Sequence, residues 1–417
     1  MNHRPGTLIV GGGLAGAKAA EALRDRGFDG PITLVGSESE RPYERPPLSK
    51  EYLQGRSPVE EIYVHPKTWY ADHDVDLHLG STVTGLDRQE KQVHTSAEGR
   101  LRYDRLLIAT GSSPRRLDLV GADADNVLYL RTKHDSDRLR QALAPGARVV
   151  IVGGGWIGLE TAAAARVAGA EVTVLEQSEL PLIGILGPRV AQVFADLHRQ
   201  HGVDLRCNVR VSGLRTAEGG SSVGAVVLAD GSAVSADLVI VGIGATPNID
   251  LARDAGLLTD NGIVVDQALR TSDPDVFAAG DVANAYHPFL GRHLRVEHWA
   301  NALHQPEVAA DAMLGARRVY DRLPYFFTDQ YDLGMEYTGL AEPADTGNVV
   351  IRGDTDSGEF IVFWLRDHRV VAGMNVNVWD VNESIQQLIR TEEHVDPNDL
   401  ADPDRSLDEL VSDSRPL

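Results

Sequence analysis

The sequence contains two glycine-rich turns, Gly11-Gly12-Gly13-Leu14-Ala15-Gly16 and Gly153-Gly154-Gly155-Trp156-Ile157-Gly158. Each follows a short apolar run typical of a buried strand, over residues 8–10 in the first case and 149–152 in the second, and each opens a helical pattern. Such glycines permit a tight strand-to-helix turn and let the backbone approach a pyrophosphate, whose charge the helix N-terminus favours. Two turns in this context predict two bound dinucleotides.

The composition is that of a globular protein with several domains. The 417 residues include 42% hydrophobic and 24% charged side chains, which allows two or three domains with real cores. The formal net charge of −21 argues against nucleic acid and anionic membranes as general partners. Because no apolar stretch approaches the ~20 residues that span a bilayer, we expect a cytoplasmic protein. The histidines lack the spacing of metal ligands, so we expect no metal.

The first turn belongs to a Rossmann-type unit, with a strand over 7–10, a helix over 15–26 and a second strand over 32–35. An acid that holds a ribose hydroxyl is expected near the end of the second strand. Glu38 is the candidate for this role.

A polar, proline-rich segment follows over residues 41–50. One interpretation is a surface loop with a helix starting at Ser49. The other is an ordered loop that places Arg45 and Lys50 beside a cofactor.

Two strand exits indicate where the chain crosses between nucleotide domains. Strands predicted over 103–111 and 237–244 end in Ala109-Thr110-Gly111 and Gly242-Ile243-Gly244. Because the second glycine turn lies between them, the second dinucleotide domain is inserted into the first. The predicted fold class is α/β, with two Rossmann-like three-layer dinucleotide-binding domains and a C-terminal α+β domain. The expected bounds are 1–112 and 237–320 for the first domain, 113–236 for the inserted domain and 321–417 for the C-terminal domain.

The inserted domain has its own ribose-binding candidate, because Glu176 closes a strand predicted over 171–175. A carboxylate there accepts hydrogen bonds from a free 2′-hydroxyl and repels a 2′-phosphate. Residues 177–182 contain no arginine or lysine to hold that phosphate. The pattern favours NADH and disfavours NADPH.

The last third of the chain begins with a short strand predicted over 276–279, which is followed by Gly280-Asp281 at the start of a helix. An acid at this position can accept hydrogen bonds from sugar-like hydroxyls. Residues 295–299 precede a helix that runs to about residue 315. A hairpin over 360–365 and 370–376 and a helix over 383–390 indicate the third, smaller domain.

Taken together, these motifs resemble the oxygenase-coupled NADH–ferredoxin reductases, the family of putidaredoxin reductase and the dioxygenase ferredoxin reductases. The resemblance depends on the paired glycine turns, the stretch Arg45-Pro46-Pro47-Leu48-Ser49-Lys50, the segments 276–281 and 295–299 and the C-terminal domain, in order along the chain. It implies a glutathione-reductase-like fold, shared with apoptosis-inducing factor, with FAD in the first domain and NADH in the inserted one.

The resemblance also implies cofactor contacts at matching positions. The expected FAD residues are Gly11, Gly13, Leu14, Ala15, Gly16, Glu38, Arg45, Lys50, Val83, Ala109, Thr110, Gly111, Arg131, Gly280, Asp281, Glu297, His298 and Trp299. The expected NADH residues are Gly153, Gly155, Trp156, Ile157, Gly158, Glu160, Glu176, Gly242, Ile243 and Gly244.

Lys50 and Glu160 are the expected catalytic pair. In the family a matching lysine and glutamate pair next to the flavin, where the lysine stabilises developing negative charge and the glutamate holds the lysine. From the residues alone, a surface lysine and an ordinary helical glutamate explain the same positions.

The number of cysteines limits which electron acceptors are possible. A disulfide reductase needs two cysteines beside the flavin, and Cys207 is alone, in a strand-like setting typical of a structural thiol. A one-electron protein acceptor fits instead. In the family an aromatic residue near the start of the C-terminal domain docks the partner, and Phe327 stands where putidaredoxin reductase has an indole. A core aromatic is the other interpretation of Phe327.

Arg317, Arg318 and Arg322 form the densest local basic cluster. They would steer an acidic ferredoxin, or they form a solvated helix face.

The sequence thus predicts a ferredoxin–NAD⁺ reductase that contains FAD, oxidises NADH and reduces a small [2Fe-2S] ferredoxin serving a haem monooxygenase or a ring-hydroxylating dioxygenase. A rubredoxin reductase shares these motifs, and a redox signalling protein like apoptosis-inducing factor is the alternative from another class. An NADH oxidase or quinone reductase is disfavoured because no cysteine is placed for peroxide chemistry. We expect a monomer or a weak homodimer.

Overall fold

The computed structural model describes residues 6–217 and 221–413. Within it the chain forms two compact units, the first from residues 6–46, 58–113 and 245–322 and the second from 47–57, 114–244 and 323–413 without 218–220. The segment 47–57, which contains Lys50, therefore belongs to the second unit. That unit includes both the predicted inserted domain and the predicted C-terminal domain. The three predicted domain bounds stay a prediction.

The first unit is built on a five-stranded parallel sheet. Its strands lie in the spatial order Val276–Ala278, Arg105–Ile108, Thr7–Val10, Ile32–Val35 and Val75–His78. The central strand Thr7–Val10 is buried along its whole length, as expected for a parallel sheet covered on both faces.

Smaller elements complete the first unit. Its α-helices are Leu14–Asp25, Trp69–Asp72, Asp250–Asp254 and Trp299–Met313, with 3₁₀ turns at Val59–Ile62 and Gly280–Val282. Its smaller sheets are Val83–Asp87 with Gln92–Thr95 and Gly99–Arg102, then Ile263–Val265 with Ala283–His287 and Arg292–Leu294, and lastly Ala245–Pro247 with Ser112–Pro114.

The second unit repeats the parallel design. Its first sheet has the order Asp204–Arg206, Glu171–Leu175, Arg148–Val152, Leu238–Val241 and Val127–Tyr129. A three-stranded antiparallel sheet, Val211–Thr216, Val223–Leu228 and Ala233–Ser235, accompanies it. The helices of this part are Lys133–Ala142, Trp156–Val167, Ile183–Leu186 and Pro188–Gln200, and a 3₁₀ turn covers Pro46–Ser49.

The C-terminal part of the second unit is a five-stranded antiparallel sheet. Its order is Tyr325–Gln330, Leu333–Gly339, Arg369–Val376, Glu359–Arg366 and Val349–Asp354. The fully buried Trp364 lies in its core, and the helices Asn382–Thr391, Pro397–Ala401 and Leu407–Asp413 follow the last strand.

Local corrections to the sequence analysis have simple causes. No helix starts at Ser49, where a 3₁₀ turn over Pro46–Ser49 ends instead. The strand predicted over 103–111 is shorter, Arg105–Ile108, and Gly111 has a φ of +67°, outside the extended region. Cys207 follows the strand Asp204–Arg206 instead of lying within it. Among the described helices, none combines the length and the apolar composition that crossing a membrane requires.

Candidate functional site

The first glycine turn is shaped by a backbone contact between neighbouring strands. Gly11 has a φ of +132°, and a Cβ there would lie 2.1 Å from the carbonyl oxygen of Ala109, at the end of the adjacent strand. A Cβ on Gly16 would lie 2.0 Å from the carbonyl oxygen of Gly11. Because no side chain fits at either position, the strand, the turn and the first helix can approach this closely only with glycine.

The second glycine turn reproduces the same contacts. Gly153 has a φ of +104°, and its Cβ would lie 2.4 Å from the carbonyl oxygen of Gly242. A Cβ on Gly158 would lie 2.1 Å from the carbonyl oxygen of Gly153. Ala109 and Gly242, both expected at the cofactor sites, thus have equivalent structural positions in the two units.

Both turns fit a pyrophosphate on structural grounds. The helices Leu14–Asp25 and Trp156–Val167 begin after Gly13 and Gly155, with no side-chain cap and no acidic residue in the first turn. A Cβ at Gly13 would meet no atom within 4 Å, and one at Gly155 would meet only the Gly242 carbonyl, at 3.9 Å. Open space in front of uncapped backbone N–H groups is the arrangement that binds an anion.

Glu38, the expected ribose-binding acid of the first unit, is held by side chains. Its carboxylate accepts hydrogen bonds from the Tyr43 hydroxyl and from Arg45 Nη2, the latter at 3.0 Å. Arg45 and Glu38, both expected to contact FAD, are therefore adjacent in the structure. Tyr43 was not among the expected site residues, although it lies in the same proline-rich segment.

Glu176, the corresponding acid of the second unit, is held by the backbone. Its two carboxylate oxygens accept hydrogen bonds from the N–H groups of Gly154 and Ser178, each at 2.7 Å. The carboxylate is thereby fixed against the glycine turn, where a dinucleotide ribose is expected.

The far end of the predicted FAD site is organised around Gly280 and Asp281. Gly280 has a φ of +78°, and a Cβ there would lie 3.2 Å from that of Ala15. Its N–H donates to Gln305 Oε1 at 2.8 Å, and Asp281 accepts a hydrogen bond from Ser112 Oγ at 2.9 Å. Sequence reasoning missed the fully buried Gln305 because its contact spans 25 residues and has no local pattern.

The segment 295–299 forms a short polar network before the helix Trp299–Met313. Glu297 pairs with Arg295 at 2.6 Å, and Trp299 donates through Nε1 to Glu44 at 3.1 Å. Burial lowers the pKa of His298 to about 4, so the imidazole is neutral at neutral pH.

The other predicted FAD residues are distributed over both units. Thr110 and Asn248 exchange two side-chain to backbone hydrogen bonds of 2.8 Å, next to Gly111. Leu14 is buried in the first helix and Val83 packs against the core of the first unit. Arg131, like Lys50, belongs to the second unit.

The apolar side chains around the second turn differ in their exposure. Ile157 is 43% exposed and Ile243 is 36% exposed, so both remain available to a ligand. The ring of Trp156 instead packs on Phe194 and Phe326, with centroid distances of 5.4 and 5.1 Å. The expected NADH contact of Trp156 stays a prediction. The carbonyl of Gly244 accepts a backbone hydrogen bond from Arg115.

Lys50 and Glu160 form a buried ion pair within the second unit. Lys50 Nζ lies 2.8 Å from Glu160 Oε1, and the two side chains are 7% and 4% exposed. Lys50 is therefore not a surface lysine, and the catalytic role of the pair stays a prediction. Lys50 Nζ also lies 5.5 Å from the ring centroid of Phe327, within the range of a cation–π contact.

Two of the three aromatic residues that begin the C-terminal sheet, Phe326 and Phe327, have different surroundings. Phe326 packs with Trp156 and with Tyr337, and so belongs to the core. Phe327 is half-buried and contacts Lys50 instead. Docking by Phe327 and its alternative as a core aromatic both stay predictions.

The three arginines of the predicted docking cluster differ in their surroundings. Arg318 is paired with Asp311 at 2.9 Å and with Glu307 at 3.3 Å, so it stabilises a helix face of the first unit. Arg317 and Arg322 are exposed. They are the members of the cluster best placed to attract a partner.

Other redox or metal chemistry finds little support among these residues. Burial raises the pKa of the half-buried Cys207 thiol, which makes it less reactive. Within residues 6–217 and 221–413, no three or more His, Cys, Asp and Glu side chains are grouped to hold a metal ion.

The class of protein follows from the paired turns and from comparison with known families. Residues 6–305 match the family described as pyridine nucleotide-disulphide oxidoreductase, and the chain belongs to this family. Residues 325–411 match the family described as reductase C-terminal.

Individual relatives are similar over nearly the whole chain. Putidaredoxin reductase of Pseudomonas putida is 39% identical over 99% of this chain and 98% of its own length. The ferredoxin–NAD⁺ reductase component of the anthranilate 1,2-dioxygenase system of Burkholderia cepacia is 41% identical over 95% and 97%. In the crystal structure of the covalent putidaredoxin reductase–putidaredoxin complex, a 38% identical chain superposes with a TM-score of 0.94 and 99% coverage of both chains.

The family and these relatives imply FAD and NAD(H) as cofactors. The two uncapped glycine turns fit them. The fold is accordingly the two-domain FAD/NAD fold with a C-terminal domain that the sequence predicted.

We predict that Gly16→Ala abolishes stable flavin binding. The new methyl group would lie 2.0 Å from the Gly11 carbonyl oxygen, so the turn must open and lose its anion-binding shape. The measurement is the flavin absorbance of the purified protein relative to its protein content.

Gly27→Ala is the control, because Gly27, with a positive φ of +74°, would place its Cβ in open space. It should cost about 1–2 kcal/mol of stability and keep its flavin. Full flavin content in Gly16→Ala would show that the turn does not hold the cofactor.

Proposed function

We propose that this protein is a ferredoxin–NAD⁺ reductase that takes electrons from NADH through FAD to a small [2Fe-2S] ferredoxin. The ferredoxin would supply a haem monooxygenase or a ring-hydroxylating dioxygenase. The observation that carries the proposal is the buried Lys50–Glu160 pair at 2.8 Å, in a chain with two dinucleotide turns and a single cysteine. The names of the relatives, which are reductases of such systems, support it.

The residues of this chain would bind the two cofactors and stabilise charge during hydride transfer. FAD, when bound, accepts a hydride from NADH and can release the electrons one at a time. The glycine turns would hold the two pyrophosphates at their helix N-termini. Lys50 would present a fixed positive charge in a site of low exposure, where such a charge stabilises developing negative charge strongly, and Glu160 would hold the ammonium group in place.

The single cysteine argues against disulfide reduction as the function. Cys207 is the only cysteine of the sequence, so an internal dithiol cannot receive the electrons. An external one-electron carrier is therefore the acceptor that we propose. We place the reaction in the cytoplasm, where NADH is available.

The test of the function is a carrier panel. The purified flavoprotein, NADH and cytochrome c are mixed with different [2Fe-2S] ferredoxins or a rubredoxin, and cytochrome c reduction is followed. We expect one ferredoxin to raise the rate far above that without carrier. Stimulation by rubredoxin alone would make the protein a rubredoxin reductase. Bleaching of the flavin by NADH without reduction of any carrier would favour a redox signalling protein.

We predict that Glu176→Gln relaxes the choice of nicotinamide cofactor. The substitution removes the charge that repels a 2′-phosphate, so the ratio of kcat/KM for NADPH to that for NADH should rise about tenfold. Glu171→Gln, at the exposed beginning of the same strand, removes the same charge and should leave the ratio unchanged. An unchanged ratio in Glu176→Gln would place the ribose elsewhere.

We also propose that Arg317, Arg322 and Phe327 help to dock the ferredoxin. Ferredoxins are generally acidic, and a protein of net charge −21 needs a local positive surface to attract one. The double variant Arg317→Glu/Arg322→Glu should slow ferredoxin reduction about tenfold or more at low salt and spare ferricyanide reduction.

The control for this experiment is Arg210→Glu/Arg215→Glu, which reverses the charges of two other exposed arginines. It changes the net charge equally and should leave ferredoxin reduction nearly unchanged. Equal slowing by the two double variants would reduce the docking idea to a general charge effect.

A further inference from the structure

The Glu160 carboxylate accepts hydrogen bonds from three donors, and one of these donors, Thr328, is itself part of a longer chain of hydrogen bonds. Oε1 lies 2.8 Å from Lys50 Nζ and 2.6 Å from Thr328 Oγ1, while Oε2 accepts from the Ser49 hydroxyl. Thr328 is 1% exposed and comes from the first strand of the C-terminal sheet, 168 residues away in sequence.

Behind Thr328 the contacts continue through buried polar side chains. Gln330 Nε2 lies 3.2 Å from Thr328 Oγ1, and Gln330 Oε1 lies 2.8 Å from His198 Nε2. His198 Nδ1 lies 3.4 Å from the hydroxyl of Tyr331. Gln330 and His198 are 1% and 0% exposed. We call Thr328, Gln330, His198 and Tyr331 the Glu160 relay.

The chemistry of each group fixes the direction of every bond in the Glu160 relay. A carboxylate paired with an ammonium group only accepts, so the Thr328 hydroxyl must donate to Glu160. Thr328 Oγ1 then accepts from the Gln330 amide NH₂, which turns Gln330 Oε1 toward His198. The imidazole must therefore donate through Nε2–H and accept the Tyr331 hydroxyl at Nδ1.

His198 suits this role because it is neutral. Burial lowers the pKa of His198 to about 4, although the hydrogen bond with Gln330 opposes the shift. A neutral imidazole with one donor and one acceptor nitrogen can link Tyr331 to Gln330. The ring of Tyr331 is itself fixed by stacking on His201, with a centroid distance of 3.7 Å.

We propose that the Glu160 relay is a one-directional hydrogen-bond chain that positions the Glu160 carboxylate against Lys50, and that Thr328, Gln330 and His198 are positioning residues for hydride transfer. The terminal torsion of a glutamate is broad, so the helix Trp156–Val167 alone does not orient the carboxylate. Two donors on Oε1 and one on Oε2 do. The inference rests on the proposed function, in which Lys50 acts at the reacting cofactor.

The kinetic test compares Thr328→Val, which removes the hydroxyl at nearly equal volume, with Thr328→Ser, which retains it. We expect Thr328→Val to lower the limiting rate of flavin bleaching by NADH about tenfold, with little change in NADH affinity and in flavin content. Thr328→Ser should restore most of the rate. Gln330→Met and His198→Phe, which act through Thr328, should lower it in the same direction.

Thr338→Val is the matched control. Thr338 is a fully buried threonine of the neighbouring strand, and its hydroxyl accepts from Asn382 at 2.7 Å outside the Glu160 relay. Its loss should leave the limiting rate unchanged. Equal limiting rates in wild type and Thr328→Val, both with full flavin, would overturn the proposal, and so would equal slowing by Thr338→Val.

A second measurement does not depend on activity. Nitrogen-15 NMR of histidine-labelled protein, with His198 assigned by its absence in His198→Phe, should show a neutral Nε2–H tautomer at neutral pH. An Nδ1–H tautomer or a charged ring would overturn the direction of the chain. If NADH fails to bleach even the wild-type flavin, the proposed function fails, and the tautomer still tests the hydrogen-bond chain separately.

Discussion

The close approach of a glycine to the carbonyl group that directly follows the neighbouring strand is the constraint on which this molecule depends. It occurs twice, between Gly11 and Ala109 and between Gly153 and Gly242, at distances that leave no room for a Cβ. In each unit this contact holds together the central strand, its neighbour and the helix that follows the glycine turn. It directs the uncapped end of that helix toward open space, and the acidic residues Glu38 and Glu176 follow the next strand of the sheet. One steric constraint thus determines both the end of the sheet at the glycine turn and the position of the anion-binding helix N-terminus.

The two acids show how similar backbones reach different local solutions. Glu38 is oriented by side chains of the proline-rich segment, while Glu176 is oriented by backbone N–H groups. Backbone donors cannot be replaced by substitution of the residues that carry them, except by proline. The orientation of Glu176 is therefore tied to the fold itself, whereas the orientation of Glu38 depends on Tyr43 and Arg45. The cationic end of the same proline-rich segment, Lys50, belongs to the second unit and pairs with Glu160 there.

The sequence was sufficient where local patterns determine structure. The strands Thr7–Val10, Ile32–Val35 and Glu171–Leu175 have their predicted bounds, because apolar runs end at glycine or polar residues. The alternative of a helix that starts at Ser49 was wrong, because a 3₁₀ turn ends at that residue. Lys50 and Glu160 could be paired only through a family resemblance, and Thr328, Gln330 and Gln305 were missed altogether. Their contacts join residues that only the folded chain brings together, and a buried threonine or glutamine has no periodic signal of its own.

Apart from Gly12 and Gly154, the glycines of each turn are of two kinds, and the difference concerns which substitutions a protein lineage can accept. Gly11, Gly16, Gly153 and Gly158 face backbone atoms, so the protein excludes every side chain at these positions whether or not a nucleotide is bound. Gly13 and Gly155 face open space, so the polypeptide itself tolerates a methyl group there. Selection for glycine at those two positions must therefore come from the bound ligand. This selection would relax in a descendant that kept the fold but no longer bound the cofactor. Residues 13 and 155 would therefore record the loss of nucleotide binding before any other part of the turns.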